Sequence, residues 1–77
     1  MPDPIEAYRT NAPMREAYYR MNGITHVAAW DSLDDYGYNP ALCDESGNGF
    51  RMDAHCGTVG QVIEWARKYC PELPVDA

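Results

Sequence analysis

Basic residues are scarce in this chain, with six Lys and Arg against twelve Asp and Glu among 77 residues, for a net charge of −6. That balance argues against direct binding of nucleic acid and against adsorption to anionic membranes, both of which need clustered cations. A basic surface on a protein partner is the expected complement. Long apolar runs are also lacking: no stretch of about 18 apolar residues is present to cross a bilayer. The opening Met1-Pro2-Asp3-Pro4-Ile5-Glu6 has neither the basic nor the apolar region of a secretory signal, so we expect a soluble, cytoplasmic protein without a membrane partner. Cysteine is limited to Cys43, Cys56 and Cys70, an odd number without CxxC spacing. A secreted disulfide framework is therefore not expected, and reduced, partly buried thiols are. The glycines form no phosphate-binding loop, and neither a GxSxG elbow nor an HExxH pair occurs.

What is present begins with one well-marked helix. Between Thr58 and Cys70, the residues Val59, Val62, Ile63, Ala66 and Cys70 recur at steps of three and four, with Trp65 and Tyr69 flanking them. Thr58 and Gln61 read as a capping box, Arg67 and Lys68 suit the C-terminal end of the dipole, and Pro71 stops the helix. Asp3-Pro4-Ile5-Glu6 reads as an earlier helix start, and Pro13 interrupts it. A fresh cap at Thr10 or Asn11 then leads a segment whose Met14, Ala17, Tyr18 and Met21 share one face, with Gly23 as the stop. The other side, Arg15, Glu16, Tyr19 and Arg20, is expected to face water. Helical structure is thus expected over 4–22, and a helix over 58–70.

Ile24 to Trp30 is rich in strand formers, with Ile24, His26, Ala28 and Trp30 on one face and Thr25, Val27 and Ala29 on the other. Turn formers from Asp31 to Pro40 predict a loop. Strands over 41–44 and 50–53 flank Glu45-Ser46-Gly47-Asn48-Gly49, whose Asn-Gly pair suits a hairpin. Residues 71–77 form a tail in which Leu73 and Val75 can tuck back. The expectation is a single α+β domain, with a small three-stranded antiparallel sheet and the N-terminal helices and C-terminal helix packed on one face. A chain of this size has about 4,700 Å² of folded surface. It spares a standard interface of about 800 Å² more readily than a carved pocket of about 300 Å³ or more.

Six carboxylates, Asp31, Asp34, Asp35, Asp44, Glu45 and Asp53, lie in the stretch from 31 to 53 against one base, Arg51. Interleaved with Tyr36, Tyr38 and Asn39, they could pair with the Lys and Arg of a nucleic-acid-binding protein where phosphates would otherwise sit. The expected partner-binding set is Asp31, Asp34, Asp35, Tyr36, Tyr38, Asp44, Glu45 and Asp53. The alternative is that turns favour Asp and that the charge serves solubility.

Other chemistry has partial signals. Asp44, Ser46 and Asn48, with the Phe50 carbonyl, match the opening of a calcium loop, but His55 stands where a bidentate Glu belongs, and a hairpin turn accounts for the same residues. His26, Cys43, His55, Cys56 and Cys70 could supply zinc ligands, but their spacing fits no standard finger. Cys56, just before the helix, could be a nucleophile with His55 or His26 as base, although adjacent residues on extended chain point apart. No metal, cofactor or catalytic residue is therefore expected. A helix-turn-helix is disfavoured because the 58–70 helix is basic only at its C-terminal end.

In profile, a small, acidic, tyrosine-bearing chain without catalytic motifs resembles the inhibitors that phages and mobile elements direct against bacterial defence nucleases, including anti-CRISPR proteins. The resemblance covers no aligned residues. It implies a non-enzymatic, stoichiometric protein-binding inhibitor acting by nucleic-acid mimicry. The alternative is an accessory or regulatory subunit that binds its partner through an apolar and aromatic face or the Met- and Tyr-bearing N-terminal helix.

Overall fold

The computed structural model describes residues 11–33 and 36–76. Within them run α1 (Ala12–Asn22), β1 (Ile24–Asp31), β2 (Tyr38–Asp44), β3 (Gly49–Arg51), α2 (Val59–Tyr69) and β4 (Val75–Asp76). The helix start expected at Asp3 to Glu6 lies outside the described residues. The α+β class holds, but the sheet has four strands in the order β3-β2-β1-β4 rather than three. The first three strands are antiparallel, and β4 runs parallel to β1, with Val27 registered on Val75 and Ala28 on Asp76. The tail expected at 71–77 thus supplies an edge strand. Val75 and Leu73 pack against the core, and Val27 N donates to Pro74 O at 2.9 Å.

The expected loop over 31–40 is shorter than its composition implied, because β2 begins at Tyr38 and carries Pro40 in its interior. Proline lacks an N–H, which normally argues against a central strand. Here Pro40 O accepts from Met52 N on the β3 side at 2.8 Å. In an antiparallel ladder a residue's N–H and C=O point to the same neighbour, so the missing donor falls beyond the end of β3 and leaves the β1 pairing intact. The strand expected at 50–53 runs instead from Gly49 to Arg51, and Met52 turns into the core at 3% exposure. Gly49 sits against β2 so closely that a Cβ there would lie 2.7 Å from Cys43 Cα.

Two face assignments are corrected. A register shift between Ile24 and His26 leaves Thr25 outside the β1–β2 pairing. A bulge of this kind changes the alternation of side chains, so Ile24 joins Val27 in the core instead of pairing with His26. In α1 the buried residues are Arg15 and Tyr19, from the side expected to face water, whereas Met14 and Met21 are 47% and 85% exposed. The cause lies in the tail. Arg15 Nε donates to Glu72 Oε1 and Oε2 at 3.0 and 3.2 Å, its Nη2 donates to Oε1 as well, and the Tyr19 hydroxyl donates to Oε2 at 3.3 Å.

Both helices pack on the same sheet face. Tyr19 of α1 and Val62 and Ala66 of α2 close over Ile24, Val27 and Leu42, with Met52, Cys56 and Cys70 completing the cluster. The helix ends are where the sequence sets them. Asn11 Oδ1 accepts from Met14 N, Gly23 closes α1 at φ 67°, and Thr58 Oγ1 accepts from Gln61 N at 3.2 Å. Gln61 Oε1 in turn accepts from Gly57 N, a variant of the expected box. Among the described residues, no helix is long and apolar enough to cross a membrane.

Candidate functional site

The register of β2 decides how the acidic stretch is arranged. Tyr38 at its start is opposite Asp31, and Asp44 at its end is opposite Ile24. Seven strand residues at about 3.3 Å each put those ends about 20 Å apart. Asp44 and Glu45 therefore lie at the hairpin tip, while Asp31, Tyr36, Tyr38 and Asp53 gather at the other end of the sheet. Asp34 and Asp35 lie outside the described residues. At the tip, Asp44 Oδ1 accepts from Ser46 N and Asn48 N at 2.9 and 3.0 Å, which is the chemistry of a turn. Glu45 is exposed.

The other end is the more elaborate. Ser32 N donates to Gly37 O at 3.1 Å and closes a loop from which Leu33 and Tyr36 project at 77% and 79% exposure. Gly37 has φ 94°, and a Cβ there would collide with Cys56 O, so only glycine brings the loop this close to the chain leading into α2. The bridge between Tyr38 and Cys56, with bonds of 2.7 and 2.8 Å in the two directions, anchors the same junction. His55 Nε2 meets Tyr36 O at 2.5 Å, and the two rings stand edge to face with centroids 5.8 Å apart. Asp31 and Asp53 are exposed there, and Asn39 Nδ2 ties the Asp53 segment down through Ala54 O at 2.7 Å.

Arg51, the base of the acidic stretch, is engaged within the fold. Its Nη1 donates to Asp31 O and Asn39 Oδ1 at 2.7 and 3.0 Å, and its guanidinium lies 5.2 Å from the centroid of Trp30. The small Ala41, opposite Arg51 on β2 and fully buried, lets the side chain reach across to β1. Among the described residues, Asp31, Glu45 and Asp53 have no ion pair, so their charge is available to a partner. Sequence reasoning did not single out Leu33, His55 or Arg51 for this end. The exposure of Leu33 and the long reach of Arg51 depend on register, which composition does not report.

The three cysteines are buried and, among the described residues, form no disulfide. Burial pushes the Cys56 thiol up from its ordinary pKa, the opposite of what a thiolate nucleophile requires. The Cys43 thiol is raised chiefly by burial and secondarily by Asp44. Among the described residues, no three His, Cys, Asp or Glu side chains converge on a point where a metal could sit. Comparison with family models, curated proteins and solved structures finds no match to this chain, so the reading of function rests on the surface itself.

Proposed function

We propose that this chain is a non-enzymatic protein-binding inhibitor, and that its acidic loop end occupies a basic, nucleic-acid-handling surface in place of phosphates. A bacterial defence complex of the kind that anti-CRISPR proteins block is the partner class this profile suggests. The observation that carries the reading is the pairing of exposed carboxylates, Asp31 and Asp53, with two projecting apolar side chains, Leu33 and Tyr36. Carboxylates steer encounter with a cationic surface, and a central aromatic or aliphatic anchor supplies most of the affinity once docked. The raised thiol of buried Cys56 supports the non-enzymatic part of the proposal.

The test is affinity capture from lysate of the source organism or its host, followed by competition of the identified partner with nucleic acid. Asp31→Asn with Asp53→Asn should weaken binding and flatten its salt dependence, and Tyr36→Ala should weaken binding without changing that dependence. A partner that binds nucleic acid and this chain at once would sink the proposal.

A second reading, an accessory or regulatory subunit, is favoured by one observation: α1 leaves Met14 and Met21 exposed beside half-buried Ala17 and Tyr18. Docking through that stripe would be insensitive to salt and abolished by Met14→Ser with Met21→Ser.

A further inference from the structure

At the opposite edge of the sheet from β3, α2 and β4 enclose an open groove of about 360 Å³ lined by Ile63, Ala66, Arg67, Cys70, Leu73 and Val75, with Pro71 at its end. Its surface is about equally polar and apolar, and its apolar side chains Ile63, Leu73 and Val75 are only half-buried. Arg67 is exposed on its rim and, among the described residues, has no hydrogen-bond or ion-pair partner. Among the described residues, the backbone beside it is open as well. Val27 is registered on Val75 and donates to Pro74 O. In a parallel ladder a residue bonds to the two that flank its register partner, so the N–H and C=O of Val75 point away from β1, toward the outer edge.

We infer that this edge accepts an extended acidic peptide segment of a partner protein, which adds as a strand beside β4. Its main chain would exchange hydrogen bonds with Val75, an apolar side chain would enter the groove, and a carboxylate near it would meet Arg67. This is recognition by strand addition, in which the backbone supplies affinity and the pocket supplies selectivity. Because residues two apart share a face of a strand, the unpaired guanidinium on the groove side selects a segment with an acidic residue two positions from the branched apolar one. A second copy of this chain fits less well. Two copies, each of net charge −6, repel one another far more than this chain repels a segment carrying one carboxylate, and Asp76, opposite Ala28, lies on the sheet face away from α2. The surface is separate from the loop end, so the inference stands or falls independently of the inhibitor reading.

The experiment is a titration of this isotopically labelled chain, followed by amide NMR, with an acetylated and amidated hexapeptide of threonines that carries valine and glutamate two positions apart, on one face. The same peptide with lysine in place of glutamate is the control. The glutamate peptide should shift the amides of Ile63, Arg67, Leu73 and Val75 and slow exchange at Val75. Arg67→Glu, an exposed substitution that should keep the native spectrum, should weaken that peptide by about tenfold or more and reverse the preference toward lysine. No shift at millimolar peptide, equal binding of both peptides, or shifts confined to Leu33 and Tyr36 would overturn the inference. A dimer in sedimentation with Val75 already protected would overturn it in favour of a second copy.

Discussion

The Arg15 guanidinium and the Glu72 carboxylate reach each other across most of the chain, and Tyr19 adds a third member on the same helix face. The pair holds the Glu72 carboxyl below its ordinary 4.5, chiefly through the hydrogen bonds from Arg15. Burial is the main reason that the Tyr19 phenol is pushed far above its usual range, so it stays a donor. Because the folded pKa of Glu72 is depressed, the unfolded state binds more protons at acid pH. The contribution of the pair is complete above the unfolded carboxylate value and is lost as pH falls through the folded one. We predict that Glu72→Gln lowers stability at neutral pH by about 2 kcal/mol and flattens its fall below pH 4.5, read by denaturant titration across pH. Gly49 acts through shape: an alanine Cβ would press into Leu42 O and Cys43 Cα. Gly49→Ala should therefore cost about 1–3 kcal/mol, measured as a lower melting temperature with the loop end still folded.

Among the elements, α2 stands on its own signals and α1 does not. In α2 the start cap, the apolar face and the basic last turn agree, and Val62 and Ala66 meet β1 and β2 as their spacing requires. Thr58→Ala removes the cap at Gln61 N and should cost about 1 kcal/mol, visible as a shift in denaturation midpoint. In α1 the apolar stripe is outside and the buried side is held by an ion pair. Met14→Ser with Met21→Ser should consequently change stability by no more than about 0.5 kcal/mol, although those methionines are among the most hydrophobic residues of the helix. A large loss of stability in that variant would mean that the stripe supports the fold. β2 illustrates a different compensation, since the donor that Pro40 lacks would have pointed to where β3 has already ended.

For the whole molecule, sheet length sets the charge distribution, with one acidic group at the hairpin tip and another at the loop end. Neutralising Asp44 and Glu45 should therefore change partner affinity less than neutralising Asp31 and Asp53, and the difference should shrink as ionic strength rises, measured by titration calorimetry at two salt concentrations. Disruption of the Asp44 turn bonds would appear separately, as lost stability. The sequence by itself determined the α+β class, both described helices, a hairpin between β2 and β3 and the concentration of carboxylates between Asp31 and Asp53, although the hairpin reverses at Gly47, with φ 86°, and not at the expected Asn48-Gly49 pair, whose Gly49 opens β3. Each of these rests on residues near one another in the chain, through capping, periodicity or turn chemistry. Only the tertiary structure decided the fourth strand, the inverted face of α1, the Ile24 bulge and the division of the acidic stretch. Those depend on pairings such as Val27 with Val75, Arg15 with Glu72 and Tyr38 with Cys56. Such contacts join distant residues, and what makes them favourable is burial and complementary charge across the fold, which no local pattern encodes.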